Sequence, residues 1–78
     1  MSEQSFLAYC RANLRRPGAL GDFCRDWVAD RDRIRVHGRH GWHYLHLYLL
    51  ACEACPEAID AARAAYREWR AQAARVVP

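Results

Sequence analysis

The stretch IDAARAAYREWRAQAARV, residues 59–76, decides the fold. Its apolar positions are separated by three or four residues, and they are Ile59, Ala62, Tyr66, Trp69, Ala73 and Val76. This spacing places them in one stripe along an α-helix, with Arg63, Arg67 and Glu68 on the opposite side. A helix with one apolar stripe must bury that stripe against other elements. The chain therefore predicts a small domain of packed helices.

Four helices are predicted in all, over residues 5–15, 20–31, 42–53 and 56–74. Ser5 can cap the first helix, and Pro56 fits the first turn of the last. The third segment is apolar on nearly every side, which is typical of the most buried helix in a bundle. We therefore expect an all-α fold, a compact bundle of about four helices that forms one domain, residues 1–78.

The apolar stripes of these segments define the expected core. A chain of this length buries only roughly 60% of its unfolded surface, so we expect a stability on the order of 5 kcal/mol. The core should be largely aromatic, and its expected members are Phe6, Tyr9, Phe23, Trp27, Trp42, Leu45, Leu49, Ile59, Tyr66 and Trp69.

The apolar runs of the chain are short. The longest, residues 47–52, is far below the ~20 residues of a membrane span, and residues 1–6 lack the pattern of a secretory signal. We therefore expect a cytoplasmic protein without membrane association. Its thiols should be reduced and packed as small hydrophobes, and they are Cys10, Cys24, Cys52 and Cys55.

A metal site is suggested by histidines at every third position, His37, His40, His43 and His46, followed by two cysteines. On a continuous helix, however, Cys52 points about 180° away from His43. We therefore expect no metal and no cofactor. A row of carboxylates at Asp22, Asp26 and Asp30 alternates with arginines and predicts a solvated helix face. No catalytic residues are assigned, and we expect a protein that is not an enzyme.

Every basic side chain of the protein is an arginine, and the net charge is +3. Codon usage in a GC-rich genome explains such a bias, and recognition of phosphates or carboxylates explains it as well. Two clusters are candidates for binding a partner or a phosphate, namely Arg31, Arg33, Arg35 and Arg39, and Arg11, Arg15 and Arg16. If the two clusters meet, they form a basic face suited to a nucleic-acid backbone.

The order of short motifs resembles the YozE SAM-like family of small bacterial proteins. The resemblance covers about residues 5 to 70 and is carried by Ser5-Phe6, Leu20-Gly21-Asp22-Phe23, Asp26, Ala58-Ile59 and Tyr66-Arg67-Glu68-Trp69. It implies a bundle of four helices similar to a sterile alpha motif, and it implies no established activity. Such bundles bind proteins or nucleic acids. Residues 31–41 depart from the family pattern, because they are more basic and lack a proline.

The leading functional hypothesis is a small, non-enzymatic interaction module that binds a protein partner through its surface. One version of this function is an inhibitor or adaptor encoded by a mobile element. Exposed aromatic side chains such as Tyr44 or Tyr48 would also permit self-association, so we expect a monomer or a weak homodimer. The alternative is non-specific binding of nucleic acid by the segment that carries Arg31, Arg33, Arg35 and Arg39.

Overall fold

The computed structural model describes residues 5–30 and 41–76. These residues form four helices and no strand, which confirms the expected all-α bundle. The helices are α1 (Phe6–Ala12), α2 (Gly18–Ala29), α3 (Gly41–Ala51) and α4 (Pro56–Val76).

The first helix ends three residues before the expected boundary at residue 15. Its start is the expected one, because the Ser5 Oγ accepts a hydrogen bond from the Ala8 N–H at 3.0 Å. Its end is set by Asn13, whose side-chain amide donates to the Tyr9 carbonyl at 2.7 Å and takes over that acceptor. The chain then turns, and α2 begins directly after Pro17, two residues before the expected start.

The turn between α3 and α4 also shortens the expected third helix. Glu53 has a φ of 58°, so the chain leaves the right-handed helix there. The Ala54 N–H donates to the Leu49 carbonyl at 3.0 Å and closes the end of α3. The last helix runs two residues beyond the expected end at residue 74.

The core is close to the expected one, and its centre is aromatic. Seven of the ten expected members are buried, while Trp42, Ile59 and Trp69 pack against the core and stay partly exposed. The longest helix, α4, packs against each of the other three. It buries three alanines, Ala61, Ala62 and Ala65, and these small side chains let neighbouring helices approach closely.

The expected central position of the third helix is wrong. The side chains of α3 that are buried are Leu45 and Leu49, whereas Tyr44, Leu47 and Leu50 are each about half exposed, at 53%, 49% and 50%. A helix that is apolar on all sides has no preferred face for burial. It can therefore pack against the bundle through one side and leave its other apolar side chains exposed. The bundle therefore leaves an apolar helix face in contact with solvent.

The expected burial of all four thiols is also only half right. Cys10 and Cys24 are buried in the core between α1 and α2. Cys52 and Cys55 are exposed, because they lie in the turn between α3 and α4 and not on a buried helix face.

The turn between α1 and α2 folds back over Gly21. A Cβ atom at this position would lie 1.6 Å from the Arg16 carbonyl oxygen. The Arg25 guanidinium holds the same turn, since it donates to the Leu14 carbonyl at 2.6 Å. Gly21 therefore allows the backbone at Arg16 to pack directly against α2, because glycine is the only residue without a Cβ atom.

We predict that Gly21→Ala destabilises the protein by about 2 kcal/mol, because the backbone of the turn must move away from the added methyl group. In an open helix the same change would stabilise by about 1 kcal/mol, so the sign of the effect is diagnostic. Urea denaturation measures it. The control Ala64→Gly, at an exposed position of α4, should lose about 1 kcal/mol. A stabilised Gly21→Ala variant would contradict the prediction.

Candidate functional site

The outward side of α3 carries an apolar stripe that the bundle does not cover. Tyr44, Leu47 and Leu50 are spaced by three residues, and we call them the outer stripe. The helix contains no Asp, Glu, Lys or Arg over its whole length. Exposed apolar residues scattered singly are normal, but an aligned set on an uncharged helix is a feature of interaction surfaces.

The orientation of α3 is fixed on one side by Trp42. Its ring packs against Tyr66, with 5.9 Å between centroids, and stacks on the His46 ring at 5.4 Å. The Arg63 guanidinium lies 5.3 Å from the centre of the Trp42 ring, which is a cation–π distance. These contacts join the start of α3 to α4.

The other side of α3 is held by Tyr48. Its ring meets Trp27 edge-on, with 5.8 Å between centroids, and its hydroxyl donates a hydrogen bond to Asp30. Burial and this bond raise the pKa of Tyr48 above its usual value. Because both edges of α3 are held, the outer stripe faces solvent in a defined direction.

The predicted arginine clusters are only partly described. Arg31, Arg33, Arg35 and Arg39 lie outside the described residues. Arg11 and Arg15 are exposed at the end of α1 and in the following turn. Arg16 donates to the Asn13 side-chain oxygen at 3.2 Å and forms an ion pair with Glu68. The guanidinium of Arg16 is therefore engaged in holding the bundle together.

Glu68 joins α4 to α1. The sequence alone predicted only that Glu68 lies on the polar side of its helix. Its carboxylate accepts a hydrogen bond from the Tyr9 hydroxyl at 2.7 Å as well as from Arg16. These two donors hold the pKa of Glu68 below its usual value. Burial, with the same hydrogen bond, raises the pKa of Tyr9. Since 59 residues separate Tyr9 from Glu68, no local pattern in the sequence signals the pair.

The histidines and cysteines that suggested a metal site do not converge where they are described. His46 stacks on Trp42, His43 is exposed, and Cys52 and Cys55 lie at the far end of α3. His37 and His40 lie outside the described residues. In residues 5–30 and 41–76, no group of three or more His, Cys, Asp or Glu side chains could hold a metal ion.

Comparison with known proteins identifies no relative of this chain. The chain matches no protein-family model, no curated protein and no solved structure. In the part of the chain that the structure describes, no helix has both the length and the apolar character needed to cross a bilayer. The outer stripe therefore has to be interpreted from its own chemistry.

We predict that Glu68→Gln lowers the free energy of unfolding by about 1 kcal/mol at pH 7, a modest amount because the site is partly exposed. The lowered pKa of Glu68 stabilises the folded state above pH 4.5, the ordinary value of a glutamate. That contribution is lost as the pH falls through the native pKa. The difference between parent and variant should therefore shrink in acid, as measured by urea denaturation from pH 7 to pH 3.

The matched control for this series is Asp60→Asn, which removes a charge from the same helix. Asp60 is exposed and forms an ion pair with Arg63 at 3.6 Å, so its loss should cost less than about 0.5 kcal/mol at pH 7. A constant difference between parent and Glu68→Gln across the whole pH range would rule out a stabilising Glu68 carboxylate.

Proposed function

We propose that the protein is a non-enzymatic interaction module that binds a protein partner through the outer stripe of α3. The observation that carries this proposal is the exposure of Tyr44, Leu47 and Leu50 on a helix without charges. Covering such a stripe removes apolar surface from water, which is favourable at roughly 25 cal/mol per Å².

The chemistry of the stripe favours a protein over a charged ligand. It offers one aromatic and two leucine side chains and no ionic group, which suits an apolar helix or groove on a partner. The ionisable groups with shifted pKa values, such as Glu68, Tyr9 and Tyr48, bond to side chains of the bundle itself. This arrangement supports a binding role in preference to catalysis.

The resemblance to the YozE SAM-like family stays a prediction, and it supports the same proposal. A bundle of four helices is what the resemblance implies, but that architecture is shared by many families. An inhibitor or adaptor from a mobile element is one form that the proposed function would take. A second copy of the chain is another candidate partner. The stripe contains Tyr44, an exposed aromatic side chain of the kind expected to permit self-association.

Nucleic-acid binding is the competing hypothesis, and the described residues offer it a limited basis. Arg11 and Arg15 are exposed, whereas Arg16 pairs with Glu68. Two exposed cations in this predicted cluster provide little of the phosphate neutralisation that non-specific binding requires. The cluster from Arg31 to Arg39 would have to supply the rest.

We predict that Leu47→Glu abolishes capture of the partner from a lysate of the source organism, because a carboxylate cannot be buried in an apolar contact. Mass spectrometry compares the proteins retained by the parent and by the variant. Ala64→Glu, at an exposed position of α4, is the matched control and should retain them. Equal capture by both variants would sink the proposed site.

Self-association is tested with the same variants by light scattering. If the stripe forms a weak homodimer, the parent mass should rise above 9.1 kDa with concentration, and Leu47→Glu should remain at the monomer mass. A dimer that survives Leu47→Glu would place the contact elsewhere.

We predict that the protein does not bind duplex DNA measurably at about 50 mM salt, where electrostatic attraction is weakly screened. Fluorescence anisotropy of a labelled duplex measures this, with a second titration at about 200 mM salt. Binding that weakens steeply with salt would favour the competing hypothesis.

A further inference from the structure

A groove of about 340 Å³ lies on the side of the bundle where α2, the end of α3 and the start of α4 meet. Its floor is apolar and includes Phe23, Trp27 and Leu49. Its volume is at the lower end of the range for ligand sites in proteins. A groove of this size accommodates one or two side chains of a peptide.

The rim of the groove is acidic on both walls. Asp22, Asp26 and Asp30 follow one another at intervals of four along α2, and Glu57 lies opposite in the first turn of α4. No basic residue is among the described residues that line the groove. These lining carboxylates contrast with the net charge of +3 of the whole chain.

The nearest described arginine on α2 does not neutralise the whole rim. Arg25 pairs with Asp22 and donates to the Leu14 carbonyl, so its guanidinium is drawn toward the turn before α2. Asp26 and Glu57 are both exposed. The Asp30 carboxylate accepts from Tyr48 and forms the edge of the groove next to α3.

We propose that this groove binds a basic peptide segment of a partner protein, one that carries an apolar anchor residue between arginines or lysines. The apolar floor takes the anchor, and the exposed carboxylates of Asp26 on α2 and Glu57 on α4 take the flanking cations. Charge complementarity selects this occupant, because an acidic or uncharged segment would offer no counter-charge to the exposed carboxylates of Asp26 and Glu57. The inference rests on the proposed function and names the chemistry of a second binding surface.

The groove and the outer stripe are separate surfaces on neighbouring sides of α3. Tyr48 borders the groove, and Tyr44 of the stripe lies one helical turn before it. A partner that covers both would meet an apolar helix face and an acidic groove side by side. The two sites can be tested independently, because Leu47 does not line the groove.

The test uses the full chain and a synthetic fluorescent peptide with a central Leu-Phe pair flanked by arginines. Anisotropy should show saturable binding at about 50 mM salt that weakens as salt is added. The same peptide with glutamates in place of arginines should not bind. Amide chemical-shift changes should concentrate on α2 and the turn between α3 and α4. Absence of binding, or shift changes confined to the outer stripe, would overturn the proposal.

The rim and the floor are tested separately. Asp26→Asn combined with Glu57→Gln should weaken binding about fivefold, while Asp60→Asn combined with Glu53→Gln makes the same charge change away from the lining and should not. Ala58→Leu should fill the groove and weaken binding at least about tenfold, against the exposed control Ala64→Leu. Equal effects of lining and control variants would overturn the proposal.

The outer-stripe variant separates failure of this inference from failure of the proposed function. Leu47→Glu should bind the peptide as the parent does, even though it loses the captured partner. Peptide binding that is lost in Leu47→Glu would overturn the assignment of the peptide to the groove.

Discussion

The ring of Phe6 is the contact on which the rest of the bundle depends. Its centroid lies between 5.5 and 6.1 Å from five other aromatic rings, those of Tyr9, Phe23, Trp27, Tyr66 and Trp69. Through these contacts α1, a helix of only seven residues, is attached to α2 and α4 at once. Loss of such a buried ring costs about 3–5 kcal/mol, which is comparable with the whole stability of a domain of this size.

Because the core depends on the short helix α1, the position of α1 relative to α2 and α4 has to be fixed by further contacts. The Tyr9–Glu68–Arg16 network does this on the polar edge of the core, and the backbone contact at Gly21 does it at the turn. Within this network Tyr9 is buried, whereas the side chains of Arg16 and Glu68 keep 41% and 34% of their surface exposed. The exposed apolar side chains of α3, namely Tyr44, Leu47 and Leu50, take no part in these two features.

The sequence predicts those parts of the fold that follow from local periodicity. Trp27 and Tyr66 were expected in the core because they lie on stripes with a helical period, and both are buried. The cap at Ser5 was expected from the residue type and its position. The exposure of Leu47 and Leu50 could not be predicted, because a segment that is apolar on all sides has no periodicity to show which side is covered.

Other features escape sequence reasoning because they join distant residues. The contact of Glu68 with Tyr9 has no local signature, and the acidic rim requires Glu57 to lie across from α2, which only the packed bundle brings about. Asp22 and Asp26 were correctly expected on an exposed helix face. Their part in a groove appears only when α3 and α4 supply the facing wall.

The unequal placement of the four thiols has a practical consequence. Burial raises the pKa values of Cys10 and Cys24, whereas Cys52 and Cys55 are open to solvent. An alkylating reagent therefore meets two thiols in the native protein and four only when the core opens. The number of modified sulfurs against time then measures how often the bundle opens spontaneously, without any denaturant.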